Sequence, residues 1–159
     1  MGYGDRESVR RVRDALTERG VSPEFVELEE TARSARDAAA ALGCRVEQIV
    51  KSLVFTGADT GSPVLVLASG PNRVGEEGIS ALLGEPIEKA DAAFVREKAG
   101  FAIGGVPPLG HAEPPVTFLD EDLLHEKEVW AAAGHTHVVF GLDPEELRRI
   151  TAARAIRVK

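Results

Sequence analysis

The sequence predicts an α+β fold, a mixed, barrel-like central β-sheet surrounded by helices, and three observations predict it. Short β-type runs and helical segments follow one another irregularly rather than in strict strand-helix alternation. Two apolar runs, KSLVFTG and PVLVLASG, are joined only by the turn formers of ADTGS and read as a central antiparallel pair. Several helical segments carry a polar N-cap and a glycine just past their end. With 159 residues, 43% of them hydrophobic and 28% charged, the chain fits one compact domain, 1–159, with a sizeable core.

Taken in order, Val9, Val12 and Leu16 recur at helical spacing and predict a helix over residues 5–19, closed by Gly20. EFVELEE reads as a short strand with Val26 and Leu28 on one side. SARDAAAALG is a second helix, with Ser34 as N-cap, Asp37 three residues on and Gly43 beyond the end. A single turn at RVEQIV precedes the central strand pair. VGEEGISALLGE is a short helix ended by Gly84, PIEKA a strand, and DAAFVREKAG a helix from Asp91 to Gly100. VTFLDEDLL, EVWAAAG and HTHVVFGL are further strands. DPEELRRI is a helix with Asp143 as N-cap, Pro144 in its first turn and Glu146 placed for a capping box, and ARAIRV closes the sheet.

Charge and composition exclude several function classes. Lys and Arg number 19 against 26 Asp and Glu, a net charge of −7, opposite in sign to a protein that grips DNA or long RNA through phosphates. A small basic patch receiving one strand end stays compatible, and two clusters offer one: Arg6, Arg10 and Arg13 on one helical face, and Arg154, Arg157 and Lys159 at the other terminus. Both are equally readable as solvated surface. No segment approaches the roughly 20 apolar residues of a membrane span, and MGYGDRESVRRVRD carries no apolar leader, so a cytoplasmic protein is expected. The lone Cys44 in ALGCRVEQ reads as packing rather than chemistry.

GFAIGGVPPLGH is the segment least like core, helix or strand. Gly104 and Gly105 let backbone amides approach another molecule, while Pro107 and Pro108 fix φ and give up their donors. It reads either as a ligand-facing loop or as a strand ending in a tight turn. Lys51 opens a central strand and either sends its ammonium into a cleft or snorkels to water. His135 and His137, two apart in a supposed strand, share a face and could chelate a metal, but a third ligand, HExxH or paired CxxC is missing, and no metal or cofactor is expected. His111, after PPLG, is placed to carry a proton or to cap the turn. There is no GxSxG elbow, and GADTGS lacks the lysine of a phosphate-binding loop. Backbone donors and one lysine without a nucleophile suit water attack on an activated ester with amides stabilising the oxyanion.

AAAALGCRVEQIVKSLVF, VLVLASG, GFAIGGVPPLGH and VWAAAGHTHVVFGLDPEEL, in this order and spacing, resemble the YbaK/EbsC family of free-standing aminoacyl-tRNA editing domains, relatives of the insertion domain of bacterial prolyl-tRNA synthetases. The resemblance runs from about Val21 to the C-terminus. It implies a mixed α+β fold with a barrel-like sheet and hydrolysis of the ester joining a wrong amino acid to tRNA, with tRNA(Pro) carrying cysteine or alanine as the expected substrate. It implies that Lys51 lies beside the terminal adenosine and the aminoacyl group and that the backbone of Gly104, Gly105 and Pro107 faces the ester carbonyl. Thr31, Ser34, Ser52, Val106, His111, Gly134 and His135 are the expected substrate contacts, with Thr136 at their border. Water, or in cysteine removal the substrate's own thiol, is the family's attacking group. The expected partner is the acceptor end of a charged tRNA, with prolyl-tRNA synthetase as a further candidate. Many relatives have Thr-Gly where this chain has Ala99-Gly100, and some carry an aspartate near Val138 or Val139, whose role has no counterpart here. The alternative is a non-catalytic module binding a nucleotide or amino-acid-like ligand in the same pocket, with a metal-dependent hydrolase as a third reading.

Overall fold

The computed structural model describes residues 2–29 and 34–159. After a 3-10 turn at Tyr3–Asp5 come α1 (Glu7–Glu18), β1 (Phe25–Glu27), α2 (Ala35–Leu42), a 3-10 turn at Val46–Gln48, β2 (Val50–Gly57) and β3 (Pro63–Ser69). They are followed by α3 (Glu76–Leu83), β4 (Ile87–Lys89), α4 (Ala92–Ala99), β5 (Val116–Asp120), a 3-10 stretch at Glu121–His125, β6 (Val129–His135), β7 (Val138–Leu142), α5 (Pro144–Thr151) and β8 (Arg154–Ile156). The strands form a five-stranded mixed sheet in the order β4-β2-β3-β5-β8 and a three-stranded antiparallel sheet in the order β1-β7-β6. A parallel bridge between Ile49 and Trp130 joins the two. The mixed α+β architecture is the expected one, its barrel-like sheet being two sheets that meet at this bridge without closing.

The capping residues act as their types dictate. The Ser34 and Asp91 side chains accept from the backbone N–H of Asp37 and Phe94, at 3.1 and 2.8 Å, and Gly43, Gly84 and Gly100 end their helices in the left-handed region. β2 and β3 pair antiparallel from Val50 opposite Ser69 to Thr56 opposite Pro63. β3 is buried throughout because its near-continuous apolar run serves two faces. Leu65 and Leu67 enter the main core with Val9, Val12 and Leu16 of α1 and Phe140 of β7, while Val64, Val66 and Ala68 meet Phe55, Ile79 and Phe118 on the other side.

Three expectations are revised. The strand expected through VTFLDEDLL ends at Asp120, whose carboxylate accepts from Asp122 N–H at 2.9 Å and turns the chain into the 3-10 stretch. HTH is no strand: His135 ends β6, Val138 begins β7 opposite it, and Thr136-His137 forms the two-residue hairpin turn between them. The Asp143 cap forms with Glu145 N–H at 2.7 Å, but the Glu146 carboxylate pairs with the Arg149 guanidinium instead of reaching back to the cap.

α1 packs on β6, and their closest approach is at Gly134, where φ is +92° and an added Cβ would sit 2.6 Å from the Ser8 carbonyl oxygen. Helix backbone occupies the volume a side chain would need. Gly134→Ala is therefore expected to destabilise the protein by about 2 kcal/mol or more from the φ strain alone, read as a lower urea midpoint at an unchanged m-value. An unchanged midpoint would contradict this packing.

Candidate active site

Beside the Ile49–Trp130 bridge the two sheets leave a cavity of about 280 Å3. Its walls come from the start of α2 (Ser34, Ala38), from Ile49 to Leu53, from Ile103, Gly104 and Val106 of the glycine-proline loop, and from the β6–β7 hairpin. Most are apolar or small. Trp130 forms one wall and lies against the bare backbone of Gly141, where a Cβ would come within 3.0 Å of the indole ring. Ala131 and Ala132 beside it leave the space that larger side chains would fill.

Lys51 supplies the positive charge. It stands opposite Ala68 in the β2–β3 pair, and its ammonium donates to the Asn72 carbonyl at 2.6 Å. Burial lowers its pKa from the usual lysine value; the Asp120 carboxylate opposes that shift and Arg73 adds to it. An ammonium has three protons and Asn72 takes one, so two remain for a ligand or water. Ser52 also lines the cavity, and its Oγ is buried without a partner among the described residues.

The glycine-proline loop is held from three directions. Phe101, Val106 and Leu109 are anchored in the main core. Arg11 of α1 donates through Nη2 to the Gly100 carbonyl at 2.6 Å and lays its guanidinium over the Phe101 ring at 4.3 Å. His111 Nε2 lies 2.7 Å from the Pro107 carbonyl, and burial lowers the pKa of its ring. Gly104 has φ +95° and faces Thr136, whose methyl carbon would be 2.9 Å from an added Cβ; at Gly105 a Cβ would lie 2.9 Å from His135 N. Both positions require glycine so that loop and hairpin backbones can approach.

The amides of the two glycines are used differently. Gly105 N–H donates to the Ala102 carbonyl at 3.0 Å and closes the loop on itself, whereas Gly104 N–H has no acceptor among the described residues and belongs to an exposed residue. Of the residues expected at the site, Lys51, Ser34, Ser52, Gly104, Val106 and His135 line the cavity, and Thr136 joins them. Gly105, Pro107, His111 and Gly134 stand behind the lining and fix the loop and hairpin. Thr31 lies outside the described residues. Sequence reasoning missed Trp130, Ala38, Ile49, Ile103 and Val139, whose apolar types carry no chemical label; the only signal was a single tryptophan beside three alanines in EVWAAAG.

His135 is a neutral-leaning imidazole, its pKa lowered by burial and then by His137 and Arg6. Its Nδ1 accepts from His137 N–H at 3.0 Å, which leaves the proton of the neutral ring on Nε2. The two histidines do not form a chelate face. Both rings stack on Tyr3, at 4.6 and 4.3 Å, with 5.3 Å between their own centroids. Among the described residues no three of His, Cys, Asp or Glu are grouped to hold a metal ion. Cys44 lies outside the cavity lining, and burial pushes its thiol pKa up. Of the described hydroxyls lining the cavity, Ser34 Oγ caps α2 and Thr136 Oγ1 lies 3.2 Å from His137 Nδ1.

The arginine clusters are partly structural. Arg13 covers Phe25 at 4.5 Å and Arg6 covers Tyr3 at 5.8 Å, while Lys159 lies 3.6 Å from Asp122. No helix of the described chain is long and apolar enough to cross a membrane.

Residues 29–150 match the family described as the aminoacyl-tRNA editing domain. A solved structure of a candidate trans-editing enzyme for prolyl tRNA synthetase superposes with a TM-score of 0.91 at 46% identity, over 97% of this chain and 98% of that one. The crystal structure of hypothetical protein APE2540 superposes with a TM-score of 0.86 at 29% identity, over 93% and 98% of the two chains. The uncharacterized protein YwhH of Bacillus subtilis (strain 168) is 27% identical over 147 residues, 92% of this chain and 93% of that one.

The half-buried His111 gives stability a defined pH response. Its folded pKa is lowered, so the unfolded chain binds its proton first; the stability due to the neutral ring is complete above about pH 6.5 and is lost as pH falls through the folded value. Urea midpoints measured between pH 8 and pH 5 should fall less steeply in His111→Gln than in wild type. Equal slopes would contradict a neutral, partly desolvated imidazole holding the loop.

Proposed function

Because the chain belongs to the aminoacyl-tRNA editing domain family and is an aminoacyl-tRNA deacylase, we propose that it acts in trans on mischarged tRNA(Pro) carrying cysteine or alanine, with Lys51 and the loop from Gly104 to Pro107 at the reacting ester. The observation that carries this reading is one ammonium and a small, largely apolar cavity, lined also by Gly104, whose amide has no acceptor among the described residues. The structural neighbour that is a candidate trans-editing enzyme for prolyl tRNA synthetase supports the choice of tRNA and leaves the synthetase as the partner to test.

In this reading the acyl side chain enters between Trp130, Ala38 and Val139, and a small side chain suits walls built largely of alanine and valine. Water adds to the ester carbonyl, the tetrahedral oxyanion is met by the Gly104 N–H and the Lys51 ammonium, and collapse frees the amino acid and the terminal ribose hydroxyl. With a cysteinyl ester the substrate's own thiol can attack the carbonyl in place of water, expelling the ribose hydroxyl and leaving a cyclic thioester that water then opens to the amino acid. Gly105 holds the turn rather than donating, since its amide is already committed to Ala102. The excess of acidic residues confines the RNA contact to the acceptor end, where one positive charge and backbone donors suffice.

Release of labelled amino acid from a panel of aminoacyl-tRNAs tests this. Alanyl- or cysteinyl-tRNA(Pro) should be deacylated well above the spontaneous rate, and Lys51→Ala should lower that rate about 100-fold, as removal of an oxyanion donor does. Release from no member of the panel, or full activity in Lys51→Ala, would overturn the reading.

A further inference from the structure

We infer that Asn72 is a positioning residue that holds the Lys51 ammonium at the cavity by keeping two neighbouring carboxylates occupied. The inference rests on the proposed role of Lys51. Asn72 follows β3 in the turn closed by its own N–H to the Ser69 carbonyl at 2.9 Å. Its Nδ2 donates to Asp120 Oδ2 at 2.8 Å and to Asp122 Oδ2 at 2.7 Å, so both amide protons are spent on carboxylates. Asn72 is 8% exposed and Asp120 1% exposed, and the Asp120 carboxylate also accepts from Ser69 N–H at 2.9 Å and Asp122 N–H at 2.9 Å. That leaves the Asn72 backbone carbonyl as the atom Lys51 reaches, at 2.6 Å.

The Asp120 carboxylate is near enough to raise the pKa of the half-buried Lys51 ammonium, and charges withdrawn from water are ordinarily paired. Among the described residues Lys51 makes no ion pair within 4.0 Å; Asp122 pairs with Lys159 at 3.6 Å, and Asp120 acts on Lys51 electrostatically. The amide of Asn72 explains this. Its Nδ2 meets the Asp120 and Asp122 oxygens with a donor that carries no charge, and the residue's backbone carbonyl offers the ammonium one anchor and leaves two of its protons free. A side chain without the amide would release the carboxylates to draw Lys51 away from the cavity.

The test is a double-mutant cycle on deacylation of aminoacylated tRNA with Asn72→Ala, Lys51→Ala and the combined variant. Asn72→Ala should lower kcat about tenfold or more with KM within about twofold, the signature of a misplaced catalytic group. The combined variant should be no slower than Lys51→Ala alone, because the two residues act as one unit. Wild-type kcat in Asn72→Ala, or losses that multiply in the combined variant, would overturn the inference while the reading of Lys51 stands. Full activity in Lys51→Ala would overturn that reading and the inference with it. If thermal melting shows Asn72→Ala unfolded, Asn72→Ser keeps a polar side chain but has one proton where the amide has two; its smaller loss of kcat should also vanish in the Lys51→Ala background, and an unchanged kcat would overturn the proposal.

Discussion

The two sheets touch through the Ile49–Trp130 bridge, and the site follows from how little of β2 that contact uses. Along β2 one edge is taken throughout by β3, while β4 covers the other edge at Phe55–Gly57. The first half of the strand, where Lys51 and Ser52 lie, is left beside the bridge rather than inside a continuous sheet. A closed barrel would fill that space with backbone pairing. The open seam instead becomes a cavity, with one wall from each sheet and a third from the loop after α4.

That third wall is held by close backbone packing. Gly104 and Gly105 let the loop approach the hairpin, and Gly134 lets the hairpin approach α1, so helix, hairpin and loop are stacked at distances that tolerate no side chain. Arg11 ties α1 directly to the base of the loop, and the His111 ring ties its middle. The result is a rigid loop in which the Gly104 amide has no acceptor among the described residues. Rigidity of this kind is what an oxyanion donor needs, since a preorganised dipole costs no reorganisation during reaction.

Local chemistry was the most legible part of the sequence. Ser34, Asp91 and Asp143 announced helix starts and Gly43, Gly84 and Gly100 helix ends because capping depends on one residue and its near neighbours. Lys51 and Gly104 could be singled out because a strand-end cation and a glycine pair are unusual on their own terms. What could not be read were features created by distant pairing. The histidines of HTH have a strand-like spacing, yet the opposition of His135 and Val138 makes them a hairpin turn. Asp120 reads as a strand residue until its carboxylate is seen turning the chain and meeting Asn72, 48 positions away. The cavity walls are ordinary alanine, isoleucine and valine, and they form a pocket only because Trp130 spans the glycine opposite it.

The central claim is that this seam is where the acyl group of a charged tRNA resides. A crystal structure with a non-hydrolysable 3′-aminoacyl-amino-adenosine tests it most directly. The account predicts the acyl side chain against Trp130 and Ala38 and the amide carbonyl within hydrogen-bonding distance of Gly104 N–H or Lys51 Nζ. A ligand bound elsewhere on the protein, with the seam left to solvent, would contradict it.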